Sequence, residues 1–397
     1  MSTKYERIAR DIRRKMERGE LKPGDWLPAE AQLATRYEVN RRTVRRALDV
    51  LEQEGRVDRQ HGRGTIVKEV AMGDQGVNVL YVGRTSQDYY RELYWAISRE
   101  AQARDMTLTC FSQEKPTGEL QFNGHLQSLA DSADGVICES KIWPRLVRHL
   151  PADVNVVQVT SFSGEDIEQV EERPTYVLAT NQFRASRLAT ERLVRAGCER
   201  IALVCVGWGR EIDDVRREVK ADHPAYLGYK SMLQRLGREE EWVVGENPGR
   251  ENDQQGGQEA IGRFLDATEA VPDGFVCQGD FRAAPLLRVL RKRGLEVPGD
   301  VSVVGMGNTP WCEMLDPPLT SISLGEEQIA RMAVLLAREV APEYQQVMRM
   351  SPKLVERDSA KAAEKGLDEL REMRHKAENT TTDAQIHDEP TPYRVRK

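Results

Sequence analysis

Four arginines stand within six consecutive residues near the start of the chain: Arg41, Arg42, Arg45 and Arg46. Each guanidinium group presents a planar fork of N–H donors, which matches the oxygens of a phosphate or the O6 and N7 acceptors of guanine. A tract this basic is typical of a solvated helix face, of a disordered basic arm, or of a surface that binds nucleic acid. The elements around the arginines distinguish these three interpretations.

The other residue types that carry chemistry in proteins are dispersed. Six cysteines occur without a CxxC pair, and six histidines occur without the HxxxH or HExxH spacing of a metal site. We expect the cysteines to be buried thiols, and we expect neither a metal nor another cofactor. The sequence also lacks a GxSxG motif and a P-loop, so it favours a binding protein over an enzyme.

Hydrophobic spacing predicts helices before the arginine cluster. The first helix buries a stripe that consists of Tyr5, Ile8, Ala9, Ile12 and Met16. The glycines and prolines of "GELKPGDWLP" end this helix. A second short helix is predicted from Glu30 to Tyr37, and "EVN" makes the turn that follows it.

The arginines themselves lie on a third predicted helix, from Arg41 to Glu54, with Asn40 as its N-cap and Gly55 at its C-cap. Its apolar stripe is Val44, Ala47, Leu48 and Leu51. This stripe leaves the arginines and Thr43 on the outer, N-terminal part of the helix, where a recognition helix meets base edges in the major groove. "RVDRQHGRGTIV" then predicts two short strands with a glycine-rich tip, a wing able to lie along the minor groove.

The segment "LPAEAQLATRYEVNRRTVRRALDVLEQEGRVDRQHGRGTIV" resembles the winged helix-turn-helix of the GntR family, and the resemblance covers about residues 4–68. It implies DNA contacts from the helix and from the tip of the wing. The residues assigned to DNA binding are Asn40, Arg41, Arg42, Thr43, Arg45, Arg46, His61, Gly62 and Arg63. One departure is Ala31, where the family often has an arginine.

Residues 77–359 alternate apolar runs with amphipathic stretches. Strands are predicted at "VNVLYVG", "DGVICE", "RIALVCVG", "DGFVCQ" and "DVSVVGMG", with helical stretches such as "RASRLATERLVRAG" between them. This pattern is typical of parallel sheets with helices on both faces, and the segment is too long for one such sheet. The predicted fold class is therefore α/β: a winged helix-turn-helix at residues 1–68, a linker at residues 69–76 and two lobes with parallel sheets at residues 77–359.

The run "RKRGLEVPGDVSVVGMGNTPWCEMLDPPLTSIS" resembles the LacI-type effector domain, which shares the periplasmic sugar-binding fold. "ATNQFRASRLATERLVRAGCERIALV" and "SPKLVERDS" resemble other parts of the same domain. The resemblance implies a two-lobe periplasmic-binding-protein-like architecture of type I. It further implies chain crossovers near residues 179, 322 and 347 and a ligand cleft between the lobes.

Ligands of α/β folds bind in loops after the carboxyl ends of parallel strands. The predicted effector-binding residues in such loops are Ser86, Tyr89, Tyr90, Lys141, Phe162, Trp208, Asp280 and Asn308. Aromatic rings with a few polar groups suit a sugar or another flat, hydroxylated ligand. However, Gly307 and Asn308 replace the acidic pair of the family, and Ala225 stands where an arginine is expected. These departures weaken the case for a plain sugar.

Charge is divided unevenly along the chain. Residues 1–68 carry 17 Lys and Arg against 11 Asp and Glu, whereas the whole chain has a net charge of −6. A basic head on an acidic body is expected of a nucleic-acid-binding protein with a separate second domain. With neither a signal peptide nor an apolar stretch of ~20 residues, we expect a cytoplasmic protein that does not enter a membrane. The charged tail, residues 360–397, is expected to be partly disordered.

These observations favour a transcriptional regulator, most simply a repressor, that binds a pseudo-palindromic operator in double-stranded DNA as a homodimer. The resemblance implies control by a small effector, a sugar or a sugar derivative. The alternative is an enzyme, because some GntR-type heads are fused to bodies that bind pyridoxal phosphate. Such a body needs a Schiff-base lysine in a cofactor setting, and the sequence offers none.

Overall fold

The computed structural model describes residues 4–17, 20–60, 62–68, 77–86, 88–113, 124–151, 154–160, 173–206, 223–238, 242–246, 254–339 and 341–363. Within these ranges, no helix combines the length and the hydropathy needed to span a bilayer. The predicted linker and most of the charged tail lie outside the described residues.

The N-terminal part forms a winged helix-turn-helix. Its elements are helices α1 (Lys4–Glu17), α2 (Glu30–Arg36) and α3 (Arg41–Gln53) and strands β1 (Val57–Gln60) and β2 (Gly64–Val67). The strands pair antiparallel, with Val57 opposite Val67. The predicted stripes of α1 and α3 meet in a core of their own, where Ile12, Leu48 and Leu51 are almost fully buried. Gly55 follows α3 with a φ of 69°, the left-handed conformation typical of a helix C-terminus.

The remaining described residues alternate strands and helices. The strands are β3 (Asn78–Gly83), β4 (Thr107–Ser112), β5 (Gly135–Glu139), β6 (Asn155–Thr160), β7 (Tyr176–Ala179), β8 (Ile201–Val206), β9 (Trp242–Glu246), β10 (Gly274–Cys277), β11 (Ser302–Met306), β12 (Thr320–Ser323), β13 (Gln346–Arg349) and β14 (Lys353–Val355). The helices are α4 (Asp88–Gln102), α5 (Gly124–Ser132), α6 (Trp143–Leu146), α7 (Gln182–Arg195), α8 (Pro224–Arg235), α9 (Gln254–Ala267), α10 (Ala283–Lys292), α11 (Trp311–Met314) and α12 (Glu326–Leu336).

The first sheet has the strand order β13-β7-β6-β5-β3-β4. β3 pairs in parallel with both β4 and β5, and β5 pairs in parallel with β6. The apolar residues of β3 and β5 are buried, and α5 and α6 supply Leu126 and Trp143 to the core beside them. A strand that is covered on both faces carries a continuous apolar run rather than an alternating one, as the sequence predicted.

The second sheet has the strand order β14-β12-β11-β10-β8-β9. Its internal pairs are parallel, and β14 closes it antiparallel to β12. Beside this sheet α7 packs against α8 at Gly228. A Cβ atom there would lie 2.1 Å from the carbonyl oxygen of Phe183, so this close approach of two helices requires glycine.

The chain divides into two compact units, each containing one of the six-stranded sheets. The first is Met1–Val159 with Gln169–Leu178 and Ala330–Val347, and the second is Thr160–Glu168 with Ala179–Ile329 and Met348–Lys397. The chain therefore changes unit at residues 179 and 348, close to the crossovers expected near 179 and 347. The change at residue 330 comes after the position expected near 322, because β12 and the start of α12 still belong to the second unit.

The segment after β14 is fixed to the second sheet. The backbone N–H of Val303 donates to the carbonyl of Ser359 over 2.7 Å, and the hydroxyl of Ser359 donates back to the carbonyl of Val303 over 2.6 Å. The backbone N–H of Thr320 donates to the same hydroxyl oxygen over 2.8 Å. These bonds hold the chain against β11 and the start of β12 as far as the described residues extend.

Candidate nucleic-acid interface and effector site

The N-terminus of α3 is capped as the sequence predicted. The side-chain oxygen of Asn40 accepts hydrogen bonds from the backbone N–H and from the hydroxyl of Thr43, each over 2.8 Å. An N-cap satisfies donors that the helix itself leaves unpaired. The cap fixes the start of α3, and with it the direction of the residues in its first turn.

Arg41 and Arg42 in that first turn are exposed. Among the described residues, neither side chain makes an ion pair with a carboxylate. Both guanidinium groups therefore keep their donors for an external acceptor. A groove of about 550 Å³ opens beside them. It is lined by Lys4, Ala31, Ala34, Thr35, Glu38, Val39, Asn40, Arg41 and Thr43.

Arg45 has a partner within the domain. Its Nη2 lies 2.9 Å from Oε2 of Glu30 at the start of α2, and its Nε donates to the other oxygen of the same carboxylate. The hydrogen bond from Arg45 lowers the pKa of Glu30. The side chain of Arg45 is still 63% exposed, so the pair is weak and leaves the guanidinium at the surface.

Arg46 is directed toward α1. Its guanidinium lies over the ring of Tyr5 at 4.2 Å from the ring centre, a cation–π contact between α3 and α1. The backbone of Arg46 is on the exposed side of the helix, as predicted. Its side chain, however, covers an aromatic ring of the same domain.

Arg59 joins the wing to α3. From strand β1 its Nη2 donates to the carbonyl oxygen of Arg45 over 2.7 Å, and its Nη1 lies 2.7 Å from a carboxylate oxygen of Asp49. Arg59 thereby sets the wing relative to the helix. At the wing tip Gly62 has a φ of 73°, a conformation that glycine adopts readily in a tight turn. Arg63 beside it is exposed. His61 lies outside the described residues.

Another set of polar residues lies at the carboxyl edge of the first sheet. Arg84, directly after β3, pairs with Glu139 at the end of β5: its Nη2 and Nε lie 2.7 and 2.9 Å from Oε2. Both side chains are buried, and the guanidinium also stacks 3.9 Å from the ring centre of Tyr90. Breaking a buried pair of this kind leaves an uncompensated charge, which typically destabilises by about 3–5 kcal/mol.

At the carboxyl edge of the second sheet, Asp280 is 1% exposed. Its Oδ2 accepts from the backbone N–H of Thr309 over 2.7 Å and from the hydroxyl of Thr309 over 3.0 Å, while its Oδ1 accepts from the hydroxyl of Ser321 over 2.6 Å. Burial raises the pKa of Asp280, and these hydrogen bonds oppose the increase. Asp280, which follows β10, thus joins the segment after β11 to β12.

Comparisons with known proteins match both parts of the chain. A family model of bacterial regulatory proteins of the gntR family matches residues 4–67, and a model of the periplasmic binding protein-like domain matches residues 190–360. The chain joins a GntR-type DNA-binding domain to a periplasmic binding protein-like domain of the LacI type.

Relatives that match nearly the whole chain or only its N-terminal domain are named as transcriptional regulators. The arabinose metabolism transcriptional repressor of Geobacillus stearothermophilus is 24% identical over 382 residues, which cover 90% of this chain and 98% of that protein. The probable transcriptional regulator PhnF of Escherichia coli (strain K12) is 48% identical over 65 residues, which cover 16% of this chain and 27% of the relative. The chain is accordingly a transcriptional regulator, and the predicted family and fold class are confirmed.

Solved structures show the same fold. A LacI family transcriptional regulator from Enterococcus faecium, with bound ribose, has a TM-score of 0.55 at 18% identity and covers 71% of this chain and 98% of its own. None of the three proteins just described is named as an enzyme. The pyridoxal-phosphate alternative therefore gains no support.

In the GntR-type domain, the predicted helix residues from Asn40 to Arg46 lie together on the first two turns of α3. Sequence reasoning missed Glu30 and Arg59, which hold Arg45 by its side chain and by its backbone carbonyl. In the sequence, Glu30 and Arg59 are recognisable only as charged residues near the arginine cluster. Such residues are common on any surface and identify no particular partner.

In the LacI-type domain, Ser86, Tyr89, Tyr90 and Lys141 lie at the carboxyl edge of the first sheet, and Asp280 and Asn308 lie at that of the second. Phe162 and Trp208 lie outside the described residues. The burial of Tyr90 and Asp280 was not expected: both contact groups of their own domain rather than open solvent. Sequence reasoning also missed Glu139, because it belongs to no motif with a known role.

Proposed function

We propose that the chain is a repressor that binds a pseudo-palindromic operator in double-stranded DNA as a homodimer. The observation that carries this proposal is the capped N-terminus of α3, where exposed arginines face outward from a helix packed on its own core. Arg41 and Arg42 are available for base edges or phosphates, and Arg63 at the wing tip is available for a neighbouring phosphate. A dimer presents two such helices, so the operator should contain two inverted half-sites.

Fluorescence anisotropy with the DNA upstream of the chain's own gene tests this proposal. The affinity should fall steeply with rising salt, because arginine–phosphate contacts release counterions. Arg41→Ala should weaken binding to the operator by roughly 1–3 kcal/mol if the side chain contacts a base. Arg331→Ala, which removes an exposed arginine from α12, is the matched control and should leave the affinity unchanged.

The homodimer is tested separately. Sedimentation of the protein alone gives its mass, and scrambling one half-site of the operator tests the symmetry. A monomer that binds a single half-site with full affinity would exclude the dimeric arrangement, whatever the result for Arg41.

We further propose that the LacI-type domain binds a small effector, a sugar or a sugar derivative, through residues at the carboxyl edges of its two sheets. The ribose in the solved structure of similar fold supports a ligand of this size. The candidates for contact are Ser86, Tyr89, Lys141 and Asn308, with Tyr90 and Asp280 holding their neighbours in place. Phe162 and Trp208 remain predicted contacts from the sequence.

An effector regulates DNA binding only if its affinity differs between the DNA-bound and free states of the protein. The test is an anisotropy titration of the protein–operator complex with candidate sugars. A change in the midpoint supports regulation. Binding of a sugar to the protein without any effect on the DNA affinity would refute it.

A further inference from the structure

Two buried acceptor oxygens at the edge of the second sheet have no donor in the described part of the protein. They are Oδ1 of Asn308 and Oε1 of Glu326. Burying a polar atom without a hydrogen bond typically costs about 1–3 kcal/mol, more for a charged group. Unpaired buried polar atoms are rare in folded proteins, and each one requires an explanation.

The two oxygens belong to one region of one unit. Asn308 comes two residues after β11, and Glu326 comes three residues after β12 as the first residue of α12. β11 and β12 are neighbouring parallel strands, with Met306 opposite Ile322. Both side chains therefore stand beyond the carboxyl ends of adjacent strands, where α/β folds bind ligands.

Asn308 is held in an unusual conformation. Its φ is 50°, in the left-handed region, which asparagine adopts more readily than most residues other than glycine. Its backbone N–H donates to the hydroxyl of Ser321 over 3.1 Å, and Ser321 itself donates to Asp280. Strained residues persist where the surrounding structure fixes them, and they concentrate at functional sites.

Glu326 has a second oxygen that is only weakly paired. Oε2 accepts from the hydroxyl of Ser323 over 3.3 Å. Burial raises the pKa of Glu326 to about 7, and the nearby charge of Asp280 adds to the increase. Hydrogen bonds from the hydroxyl of Ser323 and from the backbone of Leu324 and Glu326 oppose this increase.

We propose that Glu326 and Asn308 are effector-binding residues that accept hydrogen bonds from a polyhydroxylated ligand carrying no phosphate or carboxylate on this side. The assignment rests on the proposed effector binding by this domain. The groups of the ligand that donate these hydrogen bonds are hydroxyl groups or an ammonium group, since both can donate to the two oxygens. These two oxygens and the nearby carboxylate of Asp280 are acceptors, so this side of the site disfavours the phosphate of a sugar phosphate.

The test is a thermal-shift screen of the full-length protein followed by calorimetry. The panel holds pentoses, hexoses and disaccharides in three matched forms: neutral, amino-substituted and phosphorylated. Neutral or amino-substituted members should raise the melting temperature, and phosphorylated members should not. The neutral and amino-substituted arms distinguish hydroxyl from ammonium donors.

Variants of the two residues test the assignment directly. Glu326→Ala and Asn308→Ala should each weaken the ligand found in the screen at least tenfold, as expected for the loss of a buried hydrogen-bond acceptor. Glu327→Ala, at the exposed neighbouring position of α12, is the control and should bind as the wild type does. Far-UV circular dichroism of each variant confirms folding, and Asn308→Gly, which removes the same acceptor and adopts the left-handed backbone readily, serves if Asn308→Ala fails to fold.

Tight binding of a phosphorylated sugar overturns the proposal. So does an unchanged affinity in Glu326→Ala, and in that case the proposed effector binding still stands. If no member of the panel changes the melting temperature, both this proposal and the effector half of the proposed function are overturned. The DNA-binding half is decided independently by Arg41→Ala.

Discussion

Glu326 makes the stability of the protein depend on pH in a way that one substitution should remove. Burial raises the pKa of Glu326 to about 7 in the folded state, whereas an unfolded glutamate titrates near pH ~4.3. Between these values the folded state holds a proton that the unfolded state releases. The contribution of this proton to the free energy of unfolding is therefore fully present below the pKa of the unfolded state. It is lost as the pH rises through 7.

The magnitude follows from the shift. Each unit of difference in pKa corresponds to about 1.4 kcal/mol, and most of the difference is traversed between pH ~5 and pH ~8. Glu326→Gln keeps the shape of the side chain and removes the titration. From pH ~5 to pH ~8, the free energy of unfolding of the wild type should therefore fall by about 2 kcal/mol more than that of the variant.

Urea denaturation of wild type and variant at both pH values, followed by far-UV circular dichroism, measures this change. Asp280 also has a raised pKa; it is present in both proteins, so its contribution cancels apart from its interaction with Glu326. Glu327→Gln is the control, for which no such gain is expected. If the difference between wild type and Glu326→Gln is the same at both pH values, the buried carboxyl of Glu326 does not titrate as argued.

Three further predictions concern the DNA-binding domain. Leu51→Ala removes a fully buried side chain and should destabilise the domain by about 2–5 kcal/mol in thermal melts; a loss well under 1 kcal/mol would contradict the packing described. Asn40→Ala should lose roughly 1 kcal/mol through the missing N-cap, again by thermal melts, whereas Asn40→Asp should retain most of it. Arg59→Ala should release the wing and lower operator affinity about tenfold in anisotropy titrations, with helix content unchanged; equal affinity would show that the wing needs no such anchor.

The sequence predicted those elements whose residues repeat with one period over their whole length. α3 is an example, because Val44, Leu48 and Leu51 recur at helical spacing and are all buried. β6 was missed although it is buried throughout, because Gln158 interrupts its apolar run. In the structure that glutamine donates to the hydroxyl of Thr175 over 2.8 Å, a partner that only the fold brings near.

The same limit applies to the candidate sites. The position of Arg45 on an outward helix face follows from periodicity, but its pairing with Glu30 depends on how α2 packs on α3. Asp280 was correctly placed after a strand. Its burial could not be predicted, because the donors that occupy it come from residues 29 and 41 positions further along the chain.

The network around Asp280 constrains how an effector could act. A Cβ atom on Gly305 would lie 2.3 Å from Oδ1 of Asp280, and the backbone N–H of Asn308 donates to Ser321, so the groups at this edge of the second sheet are closely packed and bonded to one another. A fixed site orders few groups when a ligand binds, which favours affinity. If these bonds persist in every state in which this unit is folded, the proposed site contacts its ligand in the same way in each. Under the proposal, contacts to Asn308 and Glu326 would then contribute affinity and selectivity, and any difference in affinity between regulatory states would come from residues outside this network.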